Sequence, residues 1–309
     1  MIGMNLFHKI DIVENITPLE FNEHYFKTQK PVVIKGLAKN TFAGHRWSID
    51  YFKESMGETI VDVYDNRKGN PSSANTSADT RMKLGDFLDV ISKSEKSDLR
   101  IFLYNMFRHN PILRKEFPCP EIFKGALDKV GHMFFGGKNT TVRIHYDVDM
   151  SNVIHTHFGG KKRVVLIAPE YTNLLYCLPL NTYSLINPDK PDYKKYPGLT
   201  FVKGYDFIIE PGDSVFMPSG YWHYMTYLEP GFSVSYRKLA PTLPAKLNGF
   251  LNLFVYISVD KMANKILGDK WLKIKKEIAQ RKANWVMKKM YGEDIIEPMF
   301  SNQDTTWFI

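Results

Sequence analysis

The chain has 309 residues, enough for one large domain or two modest ones, and its hydrophobic share of 44% is that of a folded globular protein. Two cysteines outside any Cys-x-x-Cys pair leave no disulfide framework or zinc finger, and the longest apolar run, at 250–259, is too short to span a bilayer. The net charge of +8 is concentrated between residues 260 and 290, where ten Lys and Arg face three acids.

The first hundred residues predict mixed α/β structure. Thr17-Pro18-Leu19-Glu20 combines an N-cap residue, a proline at the first helical position and a glutamate three residues after the cap. A short helix should therefore run to about residue 27. Strands are predicted at 31–35, 59–64 and 99–104, helices at 48–56, 82–92 and 111–130, and a polar loop at 66–80.

From residue 140 to about 239 the pattern changes to short strand-like runs. Turn residues such as Gly159-Gly160 and Pro211-Gly212 separate them. Evenly spaced short strands with such turns are typical of an antiparallel sandwich or barrel. The predicted strands cover 141–147, 152–158, 163–168, 206–210, 214–217, 222–228 and 232–238.

The segment after residue 244 is predicted to be helical. Apolar residues at helical spacing between 247 and 257 predict one helix, and a second should run from 261 to 290. The apolar face either packs on the chain's own barrel or forms a dimer interface. The basic excess of the second helix is either a solvated face or a surface for an acidic partner or nucleic acid.

Two stretches of strand-like sequence carry residues that could hold one metal ion. His145 and Asp147 are two residues apart, and residues two apart in a strand project to the same side. His223 would then arrive from a different strand. Two imidazoles and one carboxylate leave coordination positions open and suit Fe(II).

The surrounding motifs make this pattern more specific. Gly160-Lys161-Lys162-Arg163 leads into an apolar run, and Pro211-Gly212-Asp213 is followed by Trp222-His223. From about 136 to 239 the sequence resembles the jumonji C (JmjC) family. It is most similar to the cupin-like bacterial branch, relatives of the asparaginyl hydroxylase that modifies hypoxia-inducible factor.

The resemblance implies a mainly β fold with flanking helices. This would be a double-stranded β-helix of the jelly-roll or cupin type, with N-terminal α/β elements and a C-terminal helical segment. A JmjC/cupin-like catalytic domain would cover 1–240, with its barrel core at about 136–240. Residues 241–309 would form a helical segment that serves as a dimerisation or partner surface.

The resemblance also implies an activity and its residues. His145, Asp147 and His223 match the iron ligands of these enzymes. Lys162 matches the lysine that pairs with the distal carboxylate of 2-oxoglutarate, and Lys161, of opposite strand parity, is the alternative. The implied activity is an Fe(II)- and 2-oxoglutarate-dependent oxygenase that hydroxylates a side chain of a protein or peptide.

Three positions depart from the better-known members. Val142 stands where they carry a threonine, His157 where they carry a glutamine, and Arg237 where they carry an asparagine. These changes affect the secondary contacts to 2-oxoglutarate and leave the metal ligands intact. The candidates for replacement polar contacts are Thr156, Tyr104 and Ser233.

The sequence leaves several alternatives open. His155 and His157 could mimic a second ligand pair, and Asp149 would become a ligand if Asp147 pointed away. The substrate could be a nucleic-acid base or a small molecule, with 260–290 as the only support, or the barrel could be a non-catalytic binding module. Without a signal peptide, we expect a cytoplasmic protein with no membrane partner.

Overall fold

The strands of the protein form two sheets in the computed structural model, which describes residues 3–65, 78–94, 97–127 and 131–292. The sequence alternates between buried and exposed positions along several of them, as the two faces of a sheet require. The strands are β1 (Asp11–Val13), β2 (Val32–Ile34), β3 (Ile60–Asp65), β4 (Thr80–Lys83), β5 (Leu99–Tyr104), β6 (His132–Gly136), β7 (Thr141–His145), β8 (Asn152–His157), β9 (Lys162–Ile167), β10 (Gly204–Ile209), β11 (Ser214–Met217), β12 (Trp222–Tyr227) and β13 (Gly231–Lys238).

The larger sheet has the order β1-β2-β11-β8-β13-β6-β5-β3-β4, and the smaller sheet has the order β10-β9-β12-β7. Apart from the parallel pair β1–β2, the paired strands run antiparallel. Neighbours in each sheet are mostly distant in sequence, as in a double-stranded β-helix. The predicted jelly-roll fold is confirmed.

The space between the sheets is apolar at one end and polar at the other. Val153 and Val215 of the larger sheet join Val164 and Leu166 of the smaller sheet in one buried cluster. Farther along β8, the side chain of the same parity as Val153 is His155, which lines a cavity. The cavity therefore begins where the inward positions of the strands stop being aliphatic.

The N-terminal helices cover the outer face of the larger sheet. Phe52 and Phe87 of these helices pack in one cluster with Phe135 and Phe232 of the sheet. A π-helical turn at Asn22–Phe26 extends the first helix. The helices are α1 (Pro18–Phe21), α2 (Phe42–Arg46), α3 (Ile49–Met56), α4 (Leu84–Lys93), α5 (Met106–His109) and α6 (Ile112–Glu116).

The C-terminal helices cover the smaller sheet and one side of the cavity. They are α7 (Leu243–Leu251), a π-helical turn (Asn252–Tyr256), α8 (Ile257–Leu267) and α9 (Asp269–Tyr291). Ala279, Ala283 and Met287 of α9 are buried in a cluster that includes Ile144 and Trp222 of the smaller sheet. The basic residues of α9 lie mostly on the opposite, exposed face of the helix.

The apolar face of α7 and the π-helical turn is not covered by the described part of the chain. Leu247 and Phe250 are each 55% exposed, and Phe254 is 64% exposed. Packing on the chain's own barrel therefore does not account for these side chains. A dimer interface remains a prediction. Among the described residues, none of the helices combines the length and apolar character needed to cross a bilayer.

The predicted helix at 111–130 is wrong in its extent. Over residues 111–127, the part of this range that the structure describes, the chain forms only α6 and a short 3₁₀ turn at Glu121–Phe123. Pro118 and Pro120 lie between them, and proline cannot donate the backbone hydrogen bond that would continue a helix.

Other predicted boundaries shift by a few residues. Helices at 49–56 and from Pro18 onward are confirmed, whereas Met82 belongs to strand β4 and the predicted helix begins at Leu84. The two C-terminal helices separate at Gly268, whose φ of +53° favours glycine, and not near residue 260. Most of the predicted loop at 66–80 and the end of the segment 241–309 lie outside the described residues.

Candidate metal centre

A cavity of about 600 Å³ opens between the two sheets. Its walls come from both sheets, and the π-helical turn after α7 adds Asn252 and Tyr256. The C-terminal helical segment is therefore part of the cavity wall. The volume is that of a small-molecule site.

Two histidines face each other across paired strands of the smaller sheet. His223 of β12 is in register with His145 of β7, and their ring centroids lie 4.2 Å apart. With Asp147 they form a group whose ligand atoms all lie within 4.8 Å of one another. This is the spacing at which three side chains can hold one metal ion, and the structure brings together all three residues singled out from the sequence.

Asp147 lies beside His145, as the sequence predicts. The predicted cause, alternation along a strand, is wrong. Strand β7 ends at His145, so Asp147 lies in the following turn and not on the strand. Its direction is set by Arg237, whose Nη2 donates to Asp147 Oδ1 at 3.0 Å. The other arm of the guanidinium, Nη1, donates to Asp149 Oδ1 at 3.0 Å and thereby holds Asp149 in a separate ion pair.

The hydrogen bonds of both histidines leave one ring nitrogen for a metal. His145 Nδ1 lies 2.8 Å from the carbonyl oxygen of Arg143, and His223 Nδ1 lies 3.2 Å from that of Tyr221. With Nδ1 donating to a carbonyl, Nε2 carries the lone pair. Burial lowers the pKa of His145 to about 3, with His223 adding to the effect, and burial also lowers the pKa of His223.

The carboxyl group of Asp147 is ionised in the same surroundings. Burial by itself would raise the pKa of Asp147, but the adjacent guanidinium of Arg237 opposes it and the pKa is lowered. Two neutral imidazoles and an ionised carboxylate are the form in which these groups bind a divalent metal. The donor set therefore fits an ion such as Fe(II).

The inner part of the cavity is formed by Lys162. Its Nζ lies 3.0 Å from His155 Nε2, donates to Ser233 Oγ at 2.8 Å and lies 4.0 Å from the ring centroid of Tyr227. The residue is 1% exposed. Among the described residues, no carboxylate forms an ion pair with it, and burial lowers the pKa of Lys162 well below its ordinary value.

The neighbouring lysine points away from the cavity. Lys161 is half exposed, and its Nζ lies 3.6 Å from Glu210 Oε1. Lys162 shares the inward parity of Val164 and Leu166, which pack between the sheets. Of the two lysines considered from the sequence, only Lys162 lines the cavity.

The three candidates for secondary contacts are placed differently from one another. Ser233 hydrogen-bonds both Lys162 and His157 Nδ1, so it supports the lysine. Thr156 has the opposite parity on β8 and bonds Ser214 Oγ at 2.7 Å, away from the cavity.

Tyr104 also lies outside the cavity lining. An irregularity in the pairing of β5 with β6 and a φ of +53° at Leu103 turn it away, and its ring stacks on His109 at 5.1 Å. The β5 residues that do line the cavity are Arg100, Phe102 and Leu103.

The histidine pair on β8 does not form a second metal site. His155 is bonded by Ser235 and Lys162, and His157 by Ser233. Within the described residues, the group around His145 is the one set of His, Cys and acidic side chains close enough to share an ion.

Two cavity arginines were missed from the sequence. Arg100 of β5 and Arg143 of β7 both line the cavity. Alternation along β5 could have identified Arg100. Ile101 packs in the cluster on the outer face of the sheet, so its neighbours Arg100 and Phe102 must face the cavity. Val142, which stands in place of a threonine, packs against the apolar cluster between the sheets.

The sequence matches one protein family and is similar to several known proteins. Residues 18–237 match the family described as the cupin-like domain. Lysine-specific demethylase 8 of Danio rerio is 26% identical over 227 residues, which are 70% of this chain and 55% of that protein. Jumonji C domain-containing protein 5 of Drosophila melanogaster is 27% identical over 235 residues, covering 70% and 56%.

A third relative matches over most of its own length. The tRNA wybutosine-synthesizing protein 5 of Homo sapiens is 26% identical over 255 residues, which are 76% of this chain and 78% of that protein. By contrast, the chain spans about half the length of the first two relatives. The matched region includes the strands that carry the candidate metal centre.

Proposed function

The chain belongs to the cupin-like domain family, and from that premise we propose that it is an Fe(II)- and 2-oxoglutarate-dependent oxygenase. Relatives with a JmjC domain are oxygenases of this type or related enzymes. We propose that the substrate is a side chain of a protein or peptide and the product its hydroxylated form.

The proposal rests on one observation. Three side chains that can bind a metal ion face the same cavity as a buried lysine that has no carboxylate partner among the described residues. The donor atoms of His145, Asp147 and His223 lie within 4.8 Å of one another. Lys162 lines that cavity with only neutral acceptors around it. An anionic cosubstrate that reaches from a metal to Lys162 would satisfy both features.

The proposed roles follow from these contacts. His145, Asp147 and His223 would hold Fe(II), and Arg237 would keep Asp147 directed at it while holding Asp149 apart. Lys162 would bind the far carboxylate of 2-oxoglutarate, with Ser233 fixing its ammonium group. When bound, iron and 2-oxoglutarate supply the oxidising chemistry, and the apolar side chains of Val142 and Met225 would keep water away.

The decisive experiment compares two histidine variants. His223→Ala should abolish succinate formation from 2-oxoglutarate and lower Mn(II) affinity by more than about 100-fold. His45→Ala, an exposed histidine outside the cavity, is the matched control and should leave both unchanged. Turnover that persists in His223→Ala, or in the wild-type protein without Fe(II), would mean that the ligands are wrongly assigned.

A nucleic-acid substrate is the second candidate. It is supported by the exposed basic residues of α9 and by the similarity to a protein named for tRNA wybutosine synthesis. Such binding should weaken steeply with salt. Removing charge from α9, for example with Lys273→Gln and Lys282→Gln together, should then weaken RNA binding, reduce its dependence on salt and leave 2-oxoglutarate binding unchanged.

A non-catalytic binding module is the remaining alternative. Under anaerobic conditions, an oxygenase should show a charge-transfer absorption band when Fe(II) and 2-oxoglutarate are both present. A module without this cofactor chemistry should show no such band with either or both.

A further inference from the structure

His155 and Lys162 form a hydrogen-bonded pair at the inner end of the cavity. His155 Nε2 lies 3.0 Å from Lys162 Nζ, and His155 Nδ1 lies 2.7 Å from the hydroxyl oxygen of Ser235. The ring of Phe134 packs against His155, with the ring centroids 5.6 Å apart. Both ring nitrogens of the histidine therefore have a partner, and the ring is held in place between Lys162 and Ser235.

The proton of the His155 ring is on Nδ1 in this arrangement. Burial and the positive charge of Lys162 lower the pKa of His155 well below its ordinary value, so the ring is neutral and has a single N–H. An ammonium group can only donate, so Nε2 accepts from Lys162 and Nδ1 donates to Ser235. His155 is therefore an acceptor for Lys162, the role that an anion would otherwise fill.

Lys162 by itself does not satisfy a carboxylate. Two of its three N–H groups are directed at His155 and Ser233, which leaves one for a ligand. A carboxylate in a dry cavity needs several donors, because an oxygen that receives none loses its hydration without replacement. Of the two side chains that hydrogen-bond Lys162 Nζ, His155 lines the cavity and Ser233 lies outside its lining. His155 is therefore the side chain placed to supply a second donor.

His155 can change from acceptor to donor without a change of charge. The two neutral forms of histidine interconvert when one ring nitrogen takes up a proton from water and the other releases one. The hydroxyl of Ser235 can accept from Nδ1 or, after turning its hydrogen, donate to it. In the second form the proton is on Nε2, which can then donate to a carboxylate.

We propose that His155 is a second binding residue for the far carboxylate of 2-oxoglutarate, accepting from Lys162 before the cosubstrate binds and donating to the carboxylate afterwards. This inference rests on the proposed function, in which Lys162 takes the same carboxylate. Ser235 stabilises both forms of the ring. The charged lysine and the neutral histidine thus bind the carboxylate with two donors.

Two related keto acids isolate this contact. 2-Oxopentanoate has the carbon chain and the keto acid end of 2-oxoglutarate without the far carboxylate. Calorimetric titration of the Mn(II)-loaded protein gives the dissociation constant of each compound, and the ratio of the two constants measures the contribution of the far carboxylate. In His155→Phe, which keeps a buried ring beside Phe134, this ratio should fall about tenfold, the loss expected for one hydrogen bond to a charged group.

Two further variants separate hydrogen bonding from packing. In His155→Gln the carboxamide can accept from Lys162 or donate to a carboxylate, so the ratio should return to within about threefold of the wild-type value. Thr156→Val removes a buried hydrogen bond to Ser214 at the next position of the strand and should keep the ratio within about twofold. An unchanged ratio in His155→Phe overturns the proposal. An equal loss of affinity for both compounds also overturns it, because His155 would then act only through packing.

The position of the ring proton can be tested in the unaltered protein. Long-range proton–nitrogen NMR spectra of protein with labelled histidine and bound Zn(II) show which ring nitrogen is protonated. The His155 signals, identified by their loss in His155→Gln, should change from the Nδ1–H to the Nε2–H form with 2-oxoglutarate and should not change with 2-oxopentanoate. An Nδ1–H form that persists at saturating 2-oxoglutarate overturns the proposal.

Failure of the proposed function gives a different result. A wild-type Mn(II)-loaded protein that binds neither keto acid would remove the premise. Normal binding and turnover of 2-oxoglutarate, with the same ratio of constants in the wild-type protein and in His155→Phe, would remove only the role of His155.

Discussion

Two buried cations of the cavity, Arg237 and Lys162, have opposite electrostatic surroundings. Arg237 donates to Asp147 and Asp149 at 3.0 Å each, and its side chain is 12% exposed. Lys162 is 1% exposed and meets only His155, Ser233 and the ring of Tyr227. One cation is matched by the protein's own carboxylates, and the other is not.

The difference appears in the pKa of each group. Burial alone would lower the pKa of Arg237, but its two carboxylates raise it, whereas burial lowers the pKa of Lys162 without opposition. A matched buried ion pair organises the structure around it, and an unmatched buried cation is stabilised only when a ligand brings the missing charge. The surroundings of Arg237 therefore suit the positioning of Asp147, and those of Lys162 suit an added anion; these are the matched and the unmatched end of the cavity.

The largest effect on stability is expected at the matched end. Arg237→Met leaves two carboxylates facing each other, and losing one partner of a buried ion pair costs about 3–5 kcal/mol in the free energy of unfolding. Urea unfolding of the metal-free protein measures this loss, and Mn(II) should restore part of it. The control is Arg81→Met, which removes an exposed ion pair with Asp62. The free energy of unfolding should therefore fall by less than about 1 kcal/mol. Equal losses in the two variants would contradict the comparison.

Acid should destabilise the unmatched end through a buried histidine. Burial and the nearby Lys162 lower the pKa of His157 well below its ordinary value of 6.5, so the folded protein keeps this histidine neutral while the unfolded chain protonates it. Its contribution to stability is fully present above pH 6.5 and is lost as the pH falls below that value. Between pH 6.5 and 5, the loss is about 2 kcal/mol for one such histidine.

The variant His157→Gln isolates this contribution. Glutamine cannot take up the proton, so thermal unfolding followed across the same pH range should depend less steeply on pH. His45→Gln, at an exposed position, should keep the wild-type slope. An unchanged slope in His157→Gln would show that the inner histidine is not held neutral.

Lys162→Met should shift stability in the direction opposite to Arg237→Met. Methionine fills a similar volume without burying an ammonium group, so the ligand-free protein should gain about 1 kcal/mol in the free energy of unfolding. At the same time, 2-oxoglutarate should bind more than about thirtyfold more weakly, because a buried charge pair is lost. Calorimetric titration of the Mn(II)-loaded protein measures the affinity, and a destabilised ligand-free variant would argue against an unmatched cation.

The smallest effect concerns a residue that the sequence placed in the cosubstrate site. Thr156→Val removes the hydrogen bond to Ser214 and should cost about 1 kcal/mol or less. The affinity for 2-oxoglutarate should not change, because Thr156 faces away from the cavity. A tenfold loss of affinity would instead support the contact that was predicted from the sequence.

Motif spacing and turn residues explain which parts of the fold and the site were predictable. Lys162 was favoured over Lys161 by its spacing from Gly160 and Arg163. Alternation could not separate the two lysines, because Val165 and Ile167 are as aliphatic and as buried as Val164 and Leu166. The barrel strands were predictable because Gly and Pro mark the turns between them. Ser233 was found through the family resemblance, and the structure brings it to Lys162.

The other contacts depend on where strands end and how distant segments meet. Asp147 lies beyond the last residue of β7, so alternation could not explain its direction. Its partner Arg237 is 90 residues away in the chain, and the pairing became visible only in the fold. Tyr104 was misplaced because the irregularity at Leu103 reverses the parity that its strand predicts.

The packing of the C-terminal helices has a consequence for work with shortened proteins. The family match ends at residue 237, yet Asn252 Nδ2 donates to the carbonyl of Val148 at 3.1 Å, and a Cβ at Gly249 would lie 2.5 Å from the carbonyl oxygen of Asp149. A fragment cut at residue 240 would lose the support beneath the turn that holds Asp147. It would also uncover the apolar back of the strands that carry both histidines, so it should aggregate when expressed.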